Sequence, residues 1–219
     1  RVSRQPEWEG SEEFQLYKYL ETEAAMNADM VMTLTNAMKN ELILRDIPEH
    51  KIKVFPNGVD STRFQPANKN IVIEEMFGLK DKVVIGYVGS IVDYEGLDLL
   101  IDAVSELKKA KIPSFHVLIV GDGGHLKEIE KKCTKLELHD IVTFTGLIAN
   151  NQIESYYSVI DIAPFPRRSF QVTEMVSPLK PLEAMSMEKC VIVSDVAALT
   201  EIIEDGITGM VFKNGDKES

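Results

Sequence analysis

The residues best suited to chemistry gather in the last quarter of the chain. Ser177-Pro178 reads as a helix start, because serine is a favoured N-cap and proline is pre-organised for the first helical position. The free N–H groups of such a start begin at Leu179, since Pro178 has none, and form an anion site suited to a diphosphate. Lys180 falls in that first turn, where a cation is unfavourable unless an anion lies nearby. Glu183 is one turn further on, and its two-acceptor carboxylate fits a vicinal diol such as that of a ribose. Upstream, Arg167 and Arg168 follow Pro164-Phe165-Pro166, and an arginine there suits bidentate recognition of phosphate. Each of these residues also has an ordinary reading: a solvated lysine, a surface glutamate, an exposed basic pair. Earlier, Gly86-Tyr87-Val88-Gly89-Ser90 sets glycines at a strand end, where a ligand can approach the backbone closely. Neither that spacing nor Gly121-Asp122-Gly123-Gly124 is the G-x-G-x-x-G fingerprint of dinucleotide-binding enzymes. The histidines, His50, His116, His125 and His139, are scattered, and no nucleophilic triad or metal set is visible.

The elements that must position these groups follow from hydrophobic periodicity. Helices are expected over 10–27, 36–45 with Thr35 as N-cap, 97–109, 126–136, 152–158, 179–187 and 199–203. Apolar runs of strand length fall at 30–33, 51–55, 83–88, 117–120, 141–145, 160–163, 191–194 and 210–212. From Val83 onward strands and helices alternate, and the strands are apolar along their length. That pattern means a doubly wound parallel sheet covered on both faces. Its ligands bind at the carboxyl ends of the strands, which points to the loops 89–96, 121–125, 164–178 and 195–200.

Composition narrows the class. With 44% hydrophobic and 27% charged residues over 219 positions, the chain is that of a globular protein. No stretch approaches the roughly 20 apolar residues of a membrane span, and no signal-peptide pattern opens it. The net charge of −11 argues against a generic nucleic-acid binder. Cys133 and Cys190 lie far apart with no metal-type neighbours, as reduced thiols of a cytoplasmic protein would. The chain opens without methionine and stops just beyond a strand, so both ends are expected to be boundaries within a longer protein.

Six strings, in order and spacing, carry a resemblance: "FPNGVDSTRF" from Phe55, "IGYVGSIVDYEGLDLLIDA" from Ile85, "VLIVGDGG" from Val117, "VTFTG" from Val142, "VSPLKPLEAM" from Val176 and "IIEDGITGMVF" from Ile202. From about Ala28 onward the chain resembles the retaining GT-B glycosyltransferases of family 4. The resemblance implies two Rossmann-like domains with the active site between them. Residues 1–66 would be the end of the N-terminal, acceptor-binding domain and the linker. Residues 67–219 would be the donor-binding domain, truncated before its final helix. It further implies a nucleoside-diphosphate sugar as donor and a saccharide or lipid-linked acceptor, with retention at the anomeric carbon. No metal or other cofactor is implied, and any peripheral membrane contact of the full-length enzyme would reside in the acceptor half.

The family's signature is a pair of glutamates eight positions apart. Glu183 matches the second, which contacts the donor ribose. Counting back eight lands on Met175, so Glu174, one position off, is carried over as the residue facing the transferred sugar. Gly89, Ser90, Pro178, Leu179, Lys180 and Arg167 complete the implied donor site. The first loop departs from the family pattern "GRLVPEKG": Ser90 and Glu95 stand where an arginine and a lysine are usual. Arg167 and Lys180 are the cations left to neutralise a departing diphosphate, a charge that must be stabilised for transfer. Two other readings remain open. One is a nucleotide-binding module inactive by itself. The other is a GT-B-like sugar-nucleotide epimerase or phosphorylase, against which "PLKPLEAM" argues. Asn57, Gly58 and Asp60 read as structural parts of the linker.

Overall fold

Capping residues fix the first elements. In the computed structural model, which describes residues 10–216, Ser11 accepts the Phe14 N–H and so starts α1 (Glu12–Asn27), two residues later than the periodicity alone suggests. Thr35 does the same for α2 (Asn36–Ile43) through the Met38 N–H. Between and after these helices, β1 (Val31–Thr33) and β2 (Ile52–Val54) pair in parallel. Ala25, Leu42, Ile47 and Ile52 form a small buried cluster of their own there.

The linker then crosses to the larger unit. Asp60 takes the Thr62 N–H and hydroxyl, turning the chain. Those bonds hold its carboxyl below the usual range. Phe64 buries itself edge-on against Tyr157 as part of the large core. A helix the periodicity did not indicate follows, α3 (Ile71–Met76). Its β-branched start reads as a strand fragment, but Asn70 caps it by accepting from Val72 and Ile73 N–H.

The larger unit alternates as expected: β3 (Val83–Val88), α4 (Leu97–Lys109), β4 (Phe115–Val120), α5 (Leu126–Lys135), β5 (Val142–Gly146), α6 (Ile153–Val159) and β6 (Ile162–Phe165). Then come α7 (Gln171–Met175), α8 (Lys180–Ser186), β7 (Cys190–Ser194), α9 (Ala197–Thr200) and β8 (Met210–Phe212). The six strands from β3 on make one parallel sheet in the order β5-β4-β3-β6-β7-β8, a Rossmann-like arrangement. The order reverses between β3 and β6. Because βαβ crossovers are right-handed, α4 and α5 take one face and α6, α8 and α9 the other. All of β4 is buried, as a central strand covered on both sides must be. The apolar stripe of α4, Leu97, Leu100, Ile101 and Val104, is buried in the same core.

Two boundaries differ from expectation in ways that matter. Strand β6 starts at Ile162 rather than Ile160, because Ile160 instead packs over the bare Cα of Gly86. Helix α7 occupies part of what the sequence suggested was loop. Both cysteines are free: Cys190 is exposed, and Cys133 is buried, which pushes its thiol up to about 11. No helix among the described residues is long and apolar enough to cross a membrane.

Ile119 is fully buried in β4, whereas Leu44 is 81% exposed. Ile119→Ala should therefore lower unfolding free energy by roughly 2–5 kcal/mol, and Leu44→Ala by less than about 0.5 kcal/mol. Urea titrations followed by circular dichroism check the contrast.

Candidate active site

Gly89, Lys180 and Arg167 meet at the carboxyl edge of the sheet, where the strand order reverses between β3 and β6. The loop after β3 leaves through Gly89, whose φ of +150° and lack of a side chain let Lys180 lie across it. A Cβ at Gly89 would stand 2.5 Å from Lys180 Cε. Ser90 is exposed, and its carbonyl accepts from the Tyr87 hydroxyl at 2.9 Å. The loop turns back at Gly96, with φ +70°, where a Cβ would fall 1.8 Å from the Pro166 carbonyl oxygen. The loops after β3 and β6 are thereby pressed together.

Helix α8 begins later than the sequence suggests. Ser177-Pro178 is not its start: Leu179 is the N-cap, without a side-chain bond, and Pro181 sits in the first turn. The reason is a tertiary contact. The Ser177 carbonyl is taken by Asn57 Nδ2 of the linker at 2.9 Å, so 177 is a docking point, and the second proline supplies the helical φ instead. Leu179 remains about half exposed, and Pro178 is half-buried.

Lys180 points inward. Its Nζ lies 2.8 Å from Glu95 Oε1, donates to the Tyr87 hydroxyl at 2.7 Å and sits 5.0 Å from the Tyr87 ring centre. Burial lowers its pKa, the Glu95 carboxylate counters that shift, and Arg167 adds to it. Burial also pushes the Tyr87 phenol well up, which keeps it a hydrogen-bond donor to Ser90. Glu95 itself is only 3% exposed.

Arg167 is buried too. It donates to the Val176 carbonyl at 3.0 Å, faces the Tyr94 ring at 5.6 Å and places Nε 3.7 Å from Glu95 Oε2. Its own carbonyl holds Ser194 Oγ and Asn214 Nδ2, tying the β6 exit to the β7 and β8 exits. Arg168 is bound to Asp98 at 2.7 Å, with Asp93 at 3.6 Å. The adjacent arginines thus serve separate carboxylates, Arg167 from the interior and Arg168 at the start of α4.

The two glutamates occupy opposite ends of the loop and helix after β6. Glu174, on α7, accepts from Ala197 N–H at 2.7 Å and from Ser169 Oγ, linking α7 to the first turn of α9. Glu183, on α8, is half-buried beside the Tyr157 hydroxyl at 3.4 Å. Burial raises its pKa, although Tyr157, Arg63 and Lys180 pull the other way. The small unit closes one side. Thr35 Oγ1 bonds the Met175 carbonyl, and the Glu201 carboxylate accepts from Asn36 and Ala37 N–H at the start of α2. Among the described residues, no cluster of three or more His, Cys, Asp or Glu is placed to hold a metal.

Sequence reasoning brought Gly89, Lys180, Arg167 and Glu183 to one edge. It treated Glu95 only as a missing lysine and passed over Tyr87, Tyr157 and Glu201.

A doubly wound parallel sheet with charged side chains massed at its switch point is a ligand-binding domain of the Rossmann-like class. The family model for glycosyl transferases group 1 matches residues 72–219, and the chain belongs to that family. The alpha-D-kanosaminyltransferase of Streptomyces kanamyceticus is 28% identical over 89% of this chain and 50% of its own length. The GDP-mannose-dependent alpha-(1-6)-phosphatidylinositol monomannoside mannosyltransferase of Mycolicibacterium smegmatis is 26% identical over 88% of this chain and 51% of its own. The chain thus spans about half the length of these relatives. The crystal structure of HepE from Anabaena, in complex with UDP, superposes with a TM-score of 0.83 at 22% identity, over 96% of this chain and 56% of that one. That likeness bears on the fold.

The tight meeting of Gly96 and Pro166 yields a prediction. Gly96→Ala places a side chain both in a left-handed conformation and against a backbone oxygen, so it should destabilise the chain by at least about 1 kcal/mol. A lowered urea midpoint with unchanged slope is the expected reading.

Proposed function

We propose that this chain is the donor-binding half of a glycosyltransferase. The intact enzyme would move a hexosyl group from a nucleoside-diphosphate sugar to a saccharide or lipid-linked acceptor, with retention at the anomeric carbon. The observation that carries the reading is the convergence of Lys180, laid over Gly89, with Glu183 on the same helix at the strand-order switch point. Family membership and the names of the two transferase relatives support it. Retention rests on the family resemblance alone. It is tested by proton NMR of the glycosidic linkage that the full-length enzyme forms from a donor of known anomeric configuration.

In this reading the backbone from Leu179 and the Gly89-Ser90 loop flank the diphosphate, and Lys180 meets it at the mouth of the site. Arg167 adds positive charge from below, through the packed interior. As the bond from the anomeric carbon to the diphosphate oxygen lengthens, negative charge grows on the leaving group, and fixed cations stabilise it without reorganising. Glu183 would accept hydrogen bonds from the ribose diol. Glu174, held at the rim by Ala197 and Ser169, would face the transferred sugar. Its support is its place on the segment between Arg167 and α8. No metal is assigned a part.

Calorimetric titration of the chain with UDP, GDP and ADP tests the reading. Saturable binding of one nucleotide is expected, weakened on the order of tenfold or more in Glu183→Ala, as for loss of a charged hydrogen bond. Absence of binding to all three would falsify the donor-site reading for this chain. The diol needs the carboxylate ionised, and Glu183 holds its proton to a higher pH than an ordinary glutamate. Affinity should therefore fall as pH drops, and begin to fall above the usual glutamate range. In Glu183→Gln that acid limb should disappear.

A further inference from the structure

One buried carboxylate at the site has no role in the account above. Glu95 is 3% exposed, and its only near partners among the described residues are two cations. The Lys180 contact is a close ion pair at 2.8 Å. The Arg167 contact is looser: Nε and Oε2 face each other at 3.7 Å, and neither atom has a hydrogen-bond partner among the described residues. A buried ion pair kept only for stability needs its lone pairs and protons satisfied, since desolvation otherwise outweighs the attraction. This one is left half-satisfied, with two cations sharing one carboxylate.

The order of exposure matters. The Lys180 side chain is 19% exposed and lies against Gly89, whereas the Glu95 side chain is 4% exposed and lies behind it. An anion arriving from solvent meets the ammonium first and the carboxylate second. It gains attraction from Lys180 and Arg167 but is repelled by Glu95, at short range and in a poorly screened interior.

We propose that Glu95 is an internal counter-ion of the donor site. It holds Lys180 and Arg167 in position when no anion is bound, and it weakens the grip on the nucleoside diphosphate so that this product leaves after transfer. It is a positioning residue, and the proposal rests on the donor-site reading above. A wholly cationic cradle would bind the product's diphosphate at least as strongly as the donor's. The carboxylate behind the lysine takes back part of that attraction.

The test compares four proteins by calorimetric titration with UDP and GDP: the unaltered chain, Glu95→Gln, Lys180→Met and the double variant. Glu95→Gln keeps the shape and a hydrogen bond to Lys180 but removes the opposing charge. It should bind the preferred nucleotide on the order of tenfold more tightly, with a steeper dependence of affinity on salt. A residue that merely propped the loop would give weaker binding and an unchanged salt slope, and that result overturns the proposal. Should Glu95→Gln not fold, the double variant decides. It replaces the pair by neutral groups, a change that buried ion pairs commonly tolerate. It should bind more tightly than Lys180→Met alone, because Glu95 repels the phosphates whether or not the lysine is present. Equal or weaker binding there overturns the proposal as well. Failure of the unaltered chain to bind either nucleotide strikes the donor-site reading instead, and the counter-ion with it.

Discussion

A carboxylate sealed from water must be answered by cations, and at the carboxyl edge of this sheet that requirement organises the surroundings. Glu95 draws Lys180 down across Gly89 and Arg167 in from the β6 exit. Lys180 in turn orients the Tyr87 hydroxyl, which fixes the Ser90 carbonyl. Arg167 reaches the Val176 carbonyl on one side, and its own carbonyl gathers Ser194 and Asn214 on the other. Loops that leave four different strands are thereby joined through polar atoms around a single charge. Apolar packing sets the sheet and seats Ile91 and Val196 of these loops in the core, while the polar bonds join the loops to one another.

A second set of polar bonds joins the small N-terminal unit to the same rim. Asn57 meets Ser177, Thr35 meets Met175, and Glu201 caps α2. These contacts fall on the segment between Arg167 and α8 and on the end of α9. A shift of the small unit would therefore be felt by Glu174 and by the start of α8, with no change in the sheet beneath. The arrangement is mechanically uneven: a dry, interdigitated floor carries a polar rim whose members are bonded mostly to one another.

Much of this architecture was legible beforehand. Strands β3 and β8 and helix α4 have the bounds their periodicity indicates, because each is long or sharply bracketed by turn residues. Helices α3 and α7 were not visible: the first opens with three β-branched residues in a row, and the second is a single turn of mixed character inside a loop. The start of α8 was misplaced because two prolines compete there, and only the tertiary bond from Asn57 to Ser177 decides between them. At the site, the residue types and their common edge could be read from order and spacing. Their pairing could not. Whether Lys180 faces solvent or Glu95 depends on a contact across 85 positions of sequence, which local pattern does not encode.

The strand order also governs how the chain reaches this state. Strand β3 pairs early with β4, its next strand in sequence, but its other neighbour is β6, which lies beyond two further helices and another strand. Until β6 docks, β3 is an open edge with unpaired backbone groups, the kind of surface that recruits other chains. Closing a loop of that length carries an entropic barrier that local contacts do not repay, so docking of β6 falls late in folding. Lys180 and Arg167 both follow β6 or sit at its exit. In a chain emerging from synthesis, Glu95 is therefore a solvated surface acid for as long as the second half is unmade, and its withdrawal from water marks the moment the two halves of the sheet become one.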